Sequence, residues 1–193
     1  MRLNLALPLP LGVTASREFG ELHLKETVDL SLVIGSLSAQ LPTGLKILEV
    51  FEVAAESPSL AALVAAARYR ARLIPAAGTT LIETAQIEST VNKLLDAEEI
   101  LMPRSGKKKK QISYTNIRPY IFELRLDCDR RAEAELIMLL KAGSDGGLSP
   151  FFLLQKLAEG KSDSDSGEWQ WSVERESLYM ISKGDLVPLT EGA

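Results

Sequence analysis

Apolar residues recur along this chain in two kinds of pattern. Some segments have the spacing of one face of a helix, and others have the every-second-residue spacing of a strand. Leu30, Val33 and Ile34 have the spacing of one helix face. Leu22 and Leu24 alternate with polar residues, as in a half-buried strand. Helices are predicted at 29–41, 57–66, 82–97 and 148–158. Strands are predicted at 2–7, 20–26, 45–53, 67–74, 99–103, 120–127, 133–141 and 169–181.

This order of elements predicts an α+β fold, because helices alternate with strands that are close in sequence and pair antiparallel. From about residue 67 the pattern is typical of a ferredoxin-like, split βαβ unit with an extra hairpin strand. The preceding part has the pattern of the same unit without its opening strand and helix. We therefore expect two ferredoxin-like units, 1–66 and 67–193, the first incomplete, with antiparallel sheets and helices on one face. The stretch 161–167 predicts a mobile acidic loop.

The composition is that of an ordinary soluble globular protein, with 46% apolar and 25% charged residues among 193. No apolar run reaches the roughly 18 residues of a membrane helix, so we expect no membrane association. The segment Leu3 to Val13 is apolar but contains two prolines, which argues against a signal peptide. Cys128 is the only cysteine, which excludes an internal disulfide and favours a cytoplasmic location.

The residues that most often carry catalysis or bind metals are scarce. His23 and Cys128 are the only histidine and cysteine, too few for a zinc site of the usual type or an iron–sulfur cluster. His23 alternates with leucines and is predicted to face solvent from a strand, whereas Cys128 is predicted to be structural. The sequence contains no self-sufficient catalytic constellation. We therefore predict no catalytic residue, no metal and no cofactor, and favour a protein that is not an enzyme.

Positive charge is concentrated between Arg104 and Leu126, a stretch with a net charge of +6 in a chain of −4. Four consecutive lysines in a predicted turn, with tyrosines nearby, provide charges for phosphates and rings for stacking on bases. The alternative is a solvated hairpin turn that only raises solubility. The candidate residues for RNA or partner binding in this stretch are Arg104, Lys107, Lys108, Lys109, Lys110, Arg118, Tyr120 and Arg125.

Arg118, which precedes Pro119, has two interpretations. Its guanidinium has the geometry to bind a phosphate or a carboxylate through two hydrogen bonds. Alternatively, it pairs with an internal acid and holds the basic hairpin in place.

Arg68, Arg70 and Arg72 form a second basic candidate, because alternate residues of a strand lie on one face of a sheet. RNA-recognition modules use an open sheet face of this kind. The alternative is cross-strand ion pairing, with Glu123 and Asp127 on a neighbouring strand neutralising the arginines. The sequence favours ion pairing, because these strands show no aromatic pairs that would stack on bases.

Seven short pieces of the chain follow one another over nearly its whole length: ALPLPLGVTAS (6–16), LPTGLKILEVFEV (41–53), SPSLAALVAAARY (57–69), AEEILMPR (97–104), NIRPYI (116–121), LLKAG (139–143) and RESLYM (175–180). Their succession resembles a bacterial family of radical-SAM-linked proteins. These are domains of unknown function that are encoded beside, or fused to, a B12-binding radical SAM protein. The resemblance implies a radical SAM protein as partner.

The chain departs from this family in three places. Typical members begin about 40–50 residues earlier in the pattern, with a strand, a basic helix and a Ser-His-Leu-Asp motif. Either the start is wrong, the chain is cut, or this member is reduced. The family's Asp-Ile-Arg-Pro reads Asn116-Ile-Arg-Pro119 here, which loses a carboxylate. A later Arg-Pro at a helix start reads Ser149-Pro150, which loses a cation.

Three functions are consistent with these observations. The favoured one is a cytoplasmic accessory protein that works with a radical SAM enzyme and presents RNA or a ribosomal substrate to it. The second is an RNA-processing enzyme of ferredoxin-like fold. The third is a structural scaffold that forms a homodimer through an exposed sheet edge in its incomplete first unit.

Overall fold

The computed structural model of the protein describes residues 2–74, 84–105, 112–128, 134–159 and 169–189. Its elements, in chain order, are β1 (Arg2–Leu5), β2 (Val13–Ala15), β3 (Gly20–His23), α1 (Leu30–Ser38), α2 (Leu60–Leu63), β4 (Val64–Ile74), α3 (Thr84–Asp96), β5 (Leu101–Ser105), β6 (Ile112–Asn116), β7 (Ile121–Cys128), β8 (Ala134–Lys141), α4 (Pro150–Glu159), β9 (Gln170–Ser182) and β10 (Asp185–Pro188). A 3-10 turn, Arg118–Tyr120, precedes β7. The protein therefore has the predicted mixed α+β fold.

The main sheet has the strand order β10-β9-β4-β8-β7, and all of these neighbouring strands are antiparallel. β2 joins the sheet as a parallel neighbour of β9. Apart from β5 and β6, which follow α3, the chain order is β4-α3-β7-β8-α4-β9, and the strands β4 and β7 run parallel with β8 between them. This arrangement is compatible with the ferredoxin-like unit predicted from the second part of the sequence.

The core lies between one face of the main sheet and the helices α3 and α4. β8 lies between β4 and β7, and its unbroken apolar stretch is largely buried. Helices α3 and α4 contribute to the same core because each has an apolar stripe at helical spacing. Its fully buried members include Ala71, Ile87, Leu136, Met138, Leu140, Leu153, Leu157 and Leu178.

The prediction of a strand at 45–53 is wrong. No strand is assigned there, and no strand in the described part of the chain pairs with it. Leu45, Leu48 and Phe51 are exposed. The alternating sequence pattern reports a preference for extended backbone, but a strand also needs a neighbouring edge for its hydrogen bonds.

The ends of several helices and strands differ from the predicted ones, and some short strands were not predicted. The second predicted strand ends at His23, and the Ala-rich helix is limited to the four residues of α2 before β4 begins. Strands β2 and β10 were not predicted, because short strands carry little periodic signal and form here on β9. β4 crosses the predicted boundary at 66/67, and the division into two units stays a prediction. The predicted loop at 161–167 lies outside the described residues.

No helix in the described part of the chain is both long enough and apolar enough to cross a lipid bilayer.

Candidate functional site

The arginines of β4 form ion pairs across the main sheet, on the face opposite α3 and α4. Arg70 and Arg72 both pair with Glu135 of β8, and Arg72 Nε donates to Glu135 Oε1 at 2.7 Å. Hydrogen bonds from Arg72, and then from Arg70, hold the pKa of the Glu135 carboxyl below its usual value. The hydrogen bond with Glu135 likewise raises the pKa of Arg72. These three residues therefore stay charged together.

A bulge in β9 gives the arginines a second shared acid. Between the register pairs Arg68↔Ser177 and Tyr69↔Arg175, the strand contains one additional residue, Glu176. Its carboxylate lies 2.6 Å from Arg70 Nε and 3.4 Å from Arg68 Nε. The hydrogen bond with Glu176 is the main cause of the raised pKa of Arg70. The bulge thus inserts an acid between two arginines of the neighbouring strand.

Glu123 of β7 completes this network. Its carboxylate binds Arg68 Nη1 at 3.0 Å, as the ion-pairing hypothesis expected, and also accepts from Arg125 Nε at 2.8 Å. Asp127 pairs with Arg125 at 3.0 Å. Ion pairing therefore accounts for all four arginines on this face, although Glu135 and Glu176 were not identified from the sequence. Both acids lie on strands that neighbour β4 in the sheet, but they are 63 and 106 residues away from their arginines along the chain, so no local pattern in the sequence identifies them.

Arg118 binds backbone carbonyls. Its Nε and Nη2 atoms donate to the carbonyl oxygen of Leu95 at 3.2 and 2.8 Å, and Nη1 lies 3.4 Å from the carbonyl oxygen of Ile121. Leu95 belongs to the last turn of α3, where carbonyl groups have no partner within the helix. The guanidinium therefore caps α3 and joins it to the start of β7.

Asn116 organises the same corner. Its side-chain oxygen accepts from the backbone N–H groups of Ile100 and Arg118, at 3.1 and 3.0 Å. A carboxylate oxygen would accept the same two bonds. An aspartate at position 116 could therefore serve the same structural function as Asn116.

The basic hairpin is a two-stranded ribbon outside the main sheet. β5 and β6 pair with each other from Leu101↔Asn116 to Ser105↔Ile112, and with no other strand among the described residues. Arg104 lies in β5 opposite Ser113. The four lysines, Lys107 to Lys110, lie outside the described residues, in the connection between the two strands.

The two tyrosines near the hairpin have different surroundings. Tyr114 of β6 is 62% exposed. Tyr120 is partly buried, and Lys141 Nζ lies 4.7 Å from the centre of its ring. Because a cation covers one face of Tyr120, Tyr114 is the better placed of the two to stack on a base. The candidate list from the sequence contains Tyr120 and omits Tyr114.

Arg175 is a buried charged residue that the sequence analysis did not single out. Its side chain is fully buried and donates to Glu18, to the carbonyl oxygen of Leu7 at 2.8 Å and to that of Pro8 at 3.2 Å. It also hydrogen-bonds Tyr69, whose pKa is raised by burial. The sequence does contain a signal for the burial of Arg175, because the alternation of Trp171, Val173 and Arg175 along β9 places Arg175 on the same face as two apolar residues.

A cavity of about 200 Å³ lies between this network and the start of α4. Tyr69 and Lys141 provide its polar lining, with Pro8, Gly143 and Ser149 among the other residues around it. In the ranges that the structure describes, no group of three His, Cys, Asp or Glu side chains is placed to hold a metal ion. His23 is exposed at the end of β3, as predicted.

Residues 24–53 expose many apolar side chains. Asp29 is the N-cap of helix α1, and its side chain accepts from Ser31 N at 2.7 Å. No residue of this helix is buried, and Leu32 is 63% exposed. The segment after it, 45–53, exposes further apolar side chains.

Comparison with known proteins gives one match. Residues 1–150 match the model of a family described as "Uncharacterized protein conserved in bacteria (DUF2344)". No curated protein and no solved structure matches the chain.

Proposed function

This chain belongs to the DUF2344 family of uncharacterized bacterial proteins, and we propose that it is an accessory binding protein. In this proposal the hairpin β5–β6 contacts RNA, and a radical SAM protein is the partner to which that RNA is presented. The RNA contact rests on the geometry of the hairpin. The partner rests on the resemblance of seven collinear pieces of the sequence.

The observation that carries the RNA contact is the position of the hairpin. The ribbon pairs with no further strand among the described ones, and Tyr114 on it is 62% exposed. The residues that connect β5 to β6 include four consecutive lysines. Positive charge beside an exposed ring is the combination that binds single-stranded nucleic acid, through phosphate contacts and stacking on bases.

The arginine face of the main sheet is a weaker candidate for the same ligand. Its four arginines, Arg68, Arg70, Arg72 and Arg125, share this face with five acids, Glu123, Asp127, Glu135, Glu174 and Glu176. A face with more acids than arginines does not attract a phosphate backbone. Its ion pairs instead hold four neighbouring strands in register.

The RNA contact is tested by fluorescence anisotropy with a labelled single-stranded RNA over a range of salt concentrations. Replacing Lys107 to Lys110 by alanine should weaken binding more than tenfold, and the slope of log Kd against log[salt] should fall by roughly 0.7 per lysine removed. Replacing the same lysines by arginine keeps the charge and should retain binding. The alanine variant binding as tightly as the wild type would refute the hairpin as the site.

Tyr114 provides an independent test with a matched control. Tyr114→Ala should weaken RNA binding by roughly five- to 150-fold, because stacking on one base is worth about 1–3 kcal/mol. Tyr114→Phe retains the ring and should bind like the wild type. Arg72→Gln, on the ion-paired face, should leave the affinity unchanged. A larger effect of Arg72→Gln than of Tyr114→Ala would move the site to the sheet face.

The partner is tested by a tagged pull-down from native lysate, divided into samples with and without RNase. Recovery of a radical SAM protein from both samples supports a direct protein contact. If it is recovered only without RNase, RNA bridges the two proteins. Its absence from both samples refutes the partnership while leaving the RNA measurement valid.

A further inference from the structure

The hairpin β5–β6 has an inner face that packs on the protein and an outer face that is exposed. Met102 of β5 packs against the hydrophobic core. Because side chains alternate along a strand, its neighbours Leu101 and Pro103 lie on the outer face. Tyr114 of β6 shares that face, since it stands directly opposite Pro103. All three outer residues are exposed, and all three carry an apolar or aromatic side chain.

The backbone hydrogen bonds of the hairpin bring Pro103 and Tyr114 close together. Opposite residues in an antiparallel ribbon alternate between pairs that exchange backbone hydrogen bonds and pairs that do not. Ile117 N donates to the carbonyl oxygen of Ile100 at 2.8 Å, so these two form a pair of the first kind. Three steps along the register, Pro103 and Tyr114 form a pair of the second kind, in which side chains approach most closely.

These two side chains form one continuous surface on the hairpin. The Cβ atoms of such a pair are about 4.5–5.5 Å apart, so the proline ring is the cross-strand neighbour of the tyrosine ring. Leu101 extends the apolar surface along β5. A base with a single ring covers Tyr114 alone, whereas the two fused rings of a purine are wide enough to reach Pro103 as well.

The outer edge of β5 is unsuited to a peptide strand. In a pair without hydrogen bonds, the nitrogen of Pro103 points away from β6, and it carries no hydrogen. A proline at this position interrupts any ladder on that edge and so protects the edge from strand addition. The connection between β5 and β6 contains four consecutive lysines, which attract a polyanion. A nucleic-acid base therefore suits this surface better than a peptide strand does.

We propose that the outer face of the hairpin is a stacking platform for an unpaired purine. Tyr114 supplies the ring, and Pro103 distinguishes purines from pyrimidines. The inference rests on the proposed RNA contact and narrows its ligand to single-stranded RNA that contains purines. Bases within a duplex are stacked on each other and cannot lie on the platform. The preference is modest, because it comes from stacking area and not from hydrogen bonds to base edges.

The first test compares two labelled oligouridines of about eight nucleotides, one of which has a single central adenosine. By fluorescence anisotropy, the wild type should bind the RNA with adenosine roughly three- to tenfold more tightly. Pro103→Ser removes the apolar ring and should reduce this preference below about twofold, with little change in the affinity for plain oligouridine. Pro103→Val keeps an apolar side chain and is the matched control, which should retain most of the preference.

A second measurement reports stacking directly and can be made on the wild type alone. 2-Aminopurine, a purine whose fluorescence is quenched when it stacks on an aromatic ring, replaces the central adenosine. Its fluorescence should fall when the wild type binds. The decrease should persist with Tyr114→Phe and be lost with Tyr114→Ala.

The outcomes separate this inference from the proposed function on which it rests. Equal affinity of the wild type for the two RNAs, without quenching, overturns the purine platform and leaves the RNA contact of the hairpin standing. A preference for adenosine that Pro103→Ser leaves intact overturns the assignment of Pro103. Failure to bind either RNA refutes the RNA contact and the platform together.

Discussion

Arg175 and Glu18 are joined across the molecule, with the buried guanidinium of one donating to both carboxylate oxygens of the other. The bond from Arg175 Nε to Glu18 Oε1 is 2.7 Å long. Burial is the largest single influence on the pKa of the Arg175 guanidinium and lowers it, but the hydrogen bonds and charges of Glu18 and Tyr69 together outweigh burial and raise this pKa. Because Arg175 also binds the carbonyl groups of Leu7 and Pro8, it attaches the N-terminal segment to β9.

This arrangement predicts unequal effects for the two partners. Glu18→Ala leaves a charge buried without its counterion and should lower the free energy of unfolding by about 3–5 kcal/mol. Arg175→Met leaves a partly exposed Glu18 that water can solvate, with two carbonyls unpaired, and should cost about 1–3 kcal/mol. The double variant should resemble Arg175→Met. Urea unfolding of all three measures these differences, and equal losses for the two single variants would contradict the explanation.

The ion pairs around Glu135 predict a loss of stability in acid. Arg72 and Arg70 lower the folded-state pKa of Glu135 below its ordinary value of 4.5. The unfolded state therefore takes up this proton first, and the free energy of unfolding falls as the pH drops through 4.5 towards the folded-state pKa. Glu135→Gln should show a shallower decrease over that range. Glu99→Gln, at an exposed position, is the matched control and should keep the wild-type slope.

Arg118 should affect stability more than ligand binding. Removing its guanidinium leaves the carbonyl of Leu95 without its two side-chain donors, so Arg118→Ala should cost about 1–3 kcal/mol in urea unfolding. Arg118→Lys keeps the charge near the end of α3 and should recover part of this loss. RNA affinity should be unchanged in the lysine variant. Full stability with reduced RNA affinity in Arg118→Ala would show instead that the guanidinium binds the ligand.

At Asn116, substitution by aspartate should leave the stability unchanged, whereas substitution by alanine should lower it. Asn116→Asp retains an oxygen that accepts from Ile100 N and Arg118 N, so the thermal midpoint should stay close to that of the wild type. Asn116→Ala leaves both donors unpaired and should cost about 1–3 kcal/mol. Thermal unfolding followed by circular dichroism compares the two. Equal destabilisation by both substitutions would show that the side-chain amide group, rather than its oxygen, is required.

Gly143 is expected to tolerate no side chain. Its φ of +117° is rarely adopted by other residues, and an added Cβ would collide with the backbone oxygen of Val64. Gly184 also has a positive φ, +93°, but nothing lies within 4 Å of the added atom. Gly184→Ala should therefore cost about 1–2 kcal/mol for backbone strain alone. Gly143→Ala should cost roughly 1–3 kcal/mol more, because overpacking is added. Similar midpoints in urea would refute the steric explanation.

The sequence alone was sufficient to predict the structural features that depend on residues close together along the chain. The N-cap at Asp29, the buried stripe of α3 at Ile87 and Val91, and the alternation of Arg68, Tyr69 and Arg70 in β4 all arise from local spacing. The α+β class follows from the same periodicities, because a helix or strand that is apolar on one face must bury that face. Local patterns of this kind are visible in one sequence.

Tertiary structure decided the features that need a distant partner. The segment 45–53 has the sequence of a strand and no described edge to pair with. Arg175 has the charge of a surface residue, yet the register of β9 buries it against Glu18 and the N-terminal segment. In the sequence, Arg68 and Arg70 have the pattern of an RNA-binding stripe. In the folded chain, acids from the bulge at Glu176 and from the adjacent strand β8 form ion pairs on this face. Hydrogen bonds and ion pairs depend on distances in space, and only the folded chain brings these residues within reach of each other.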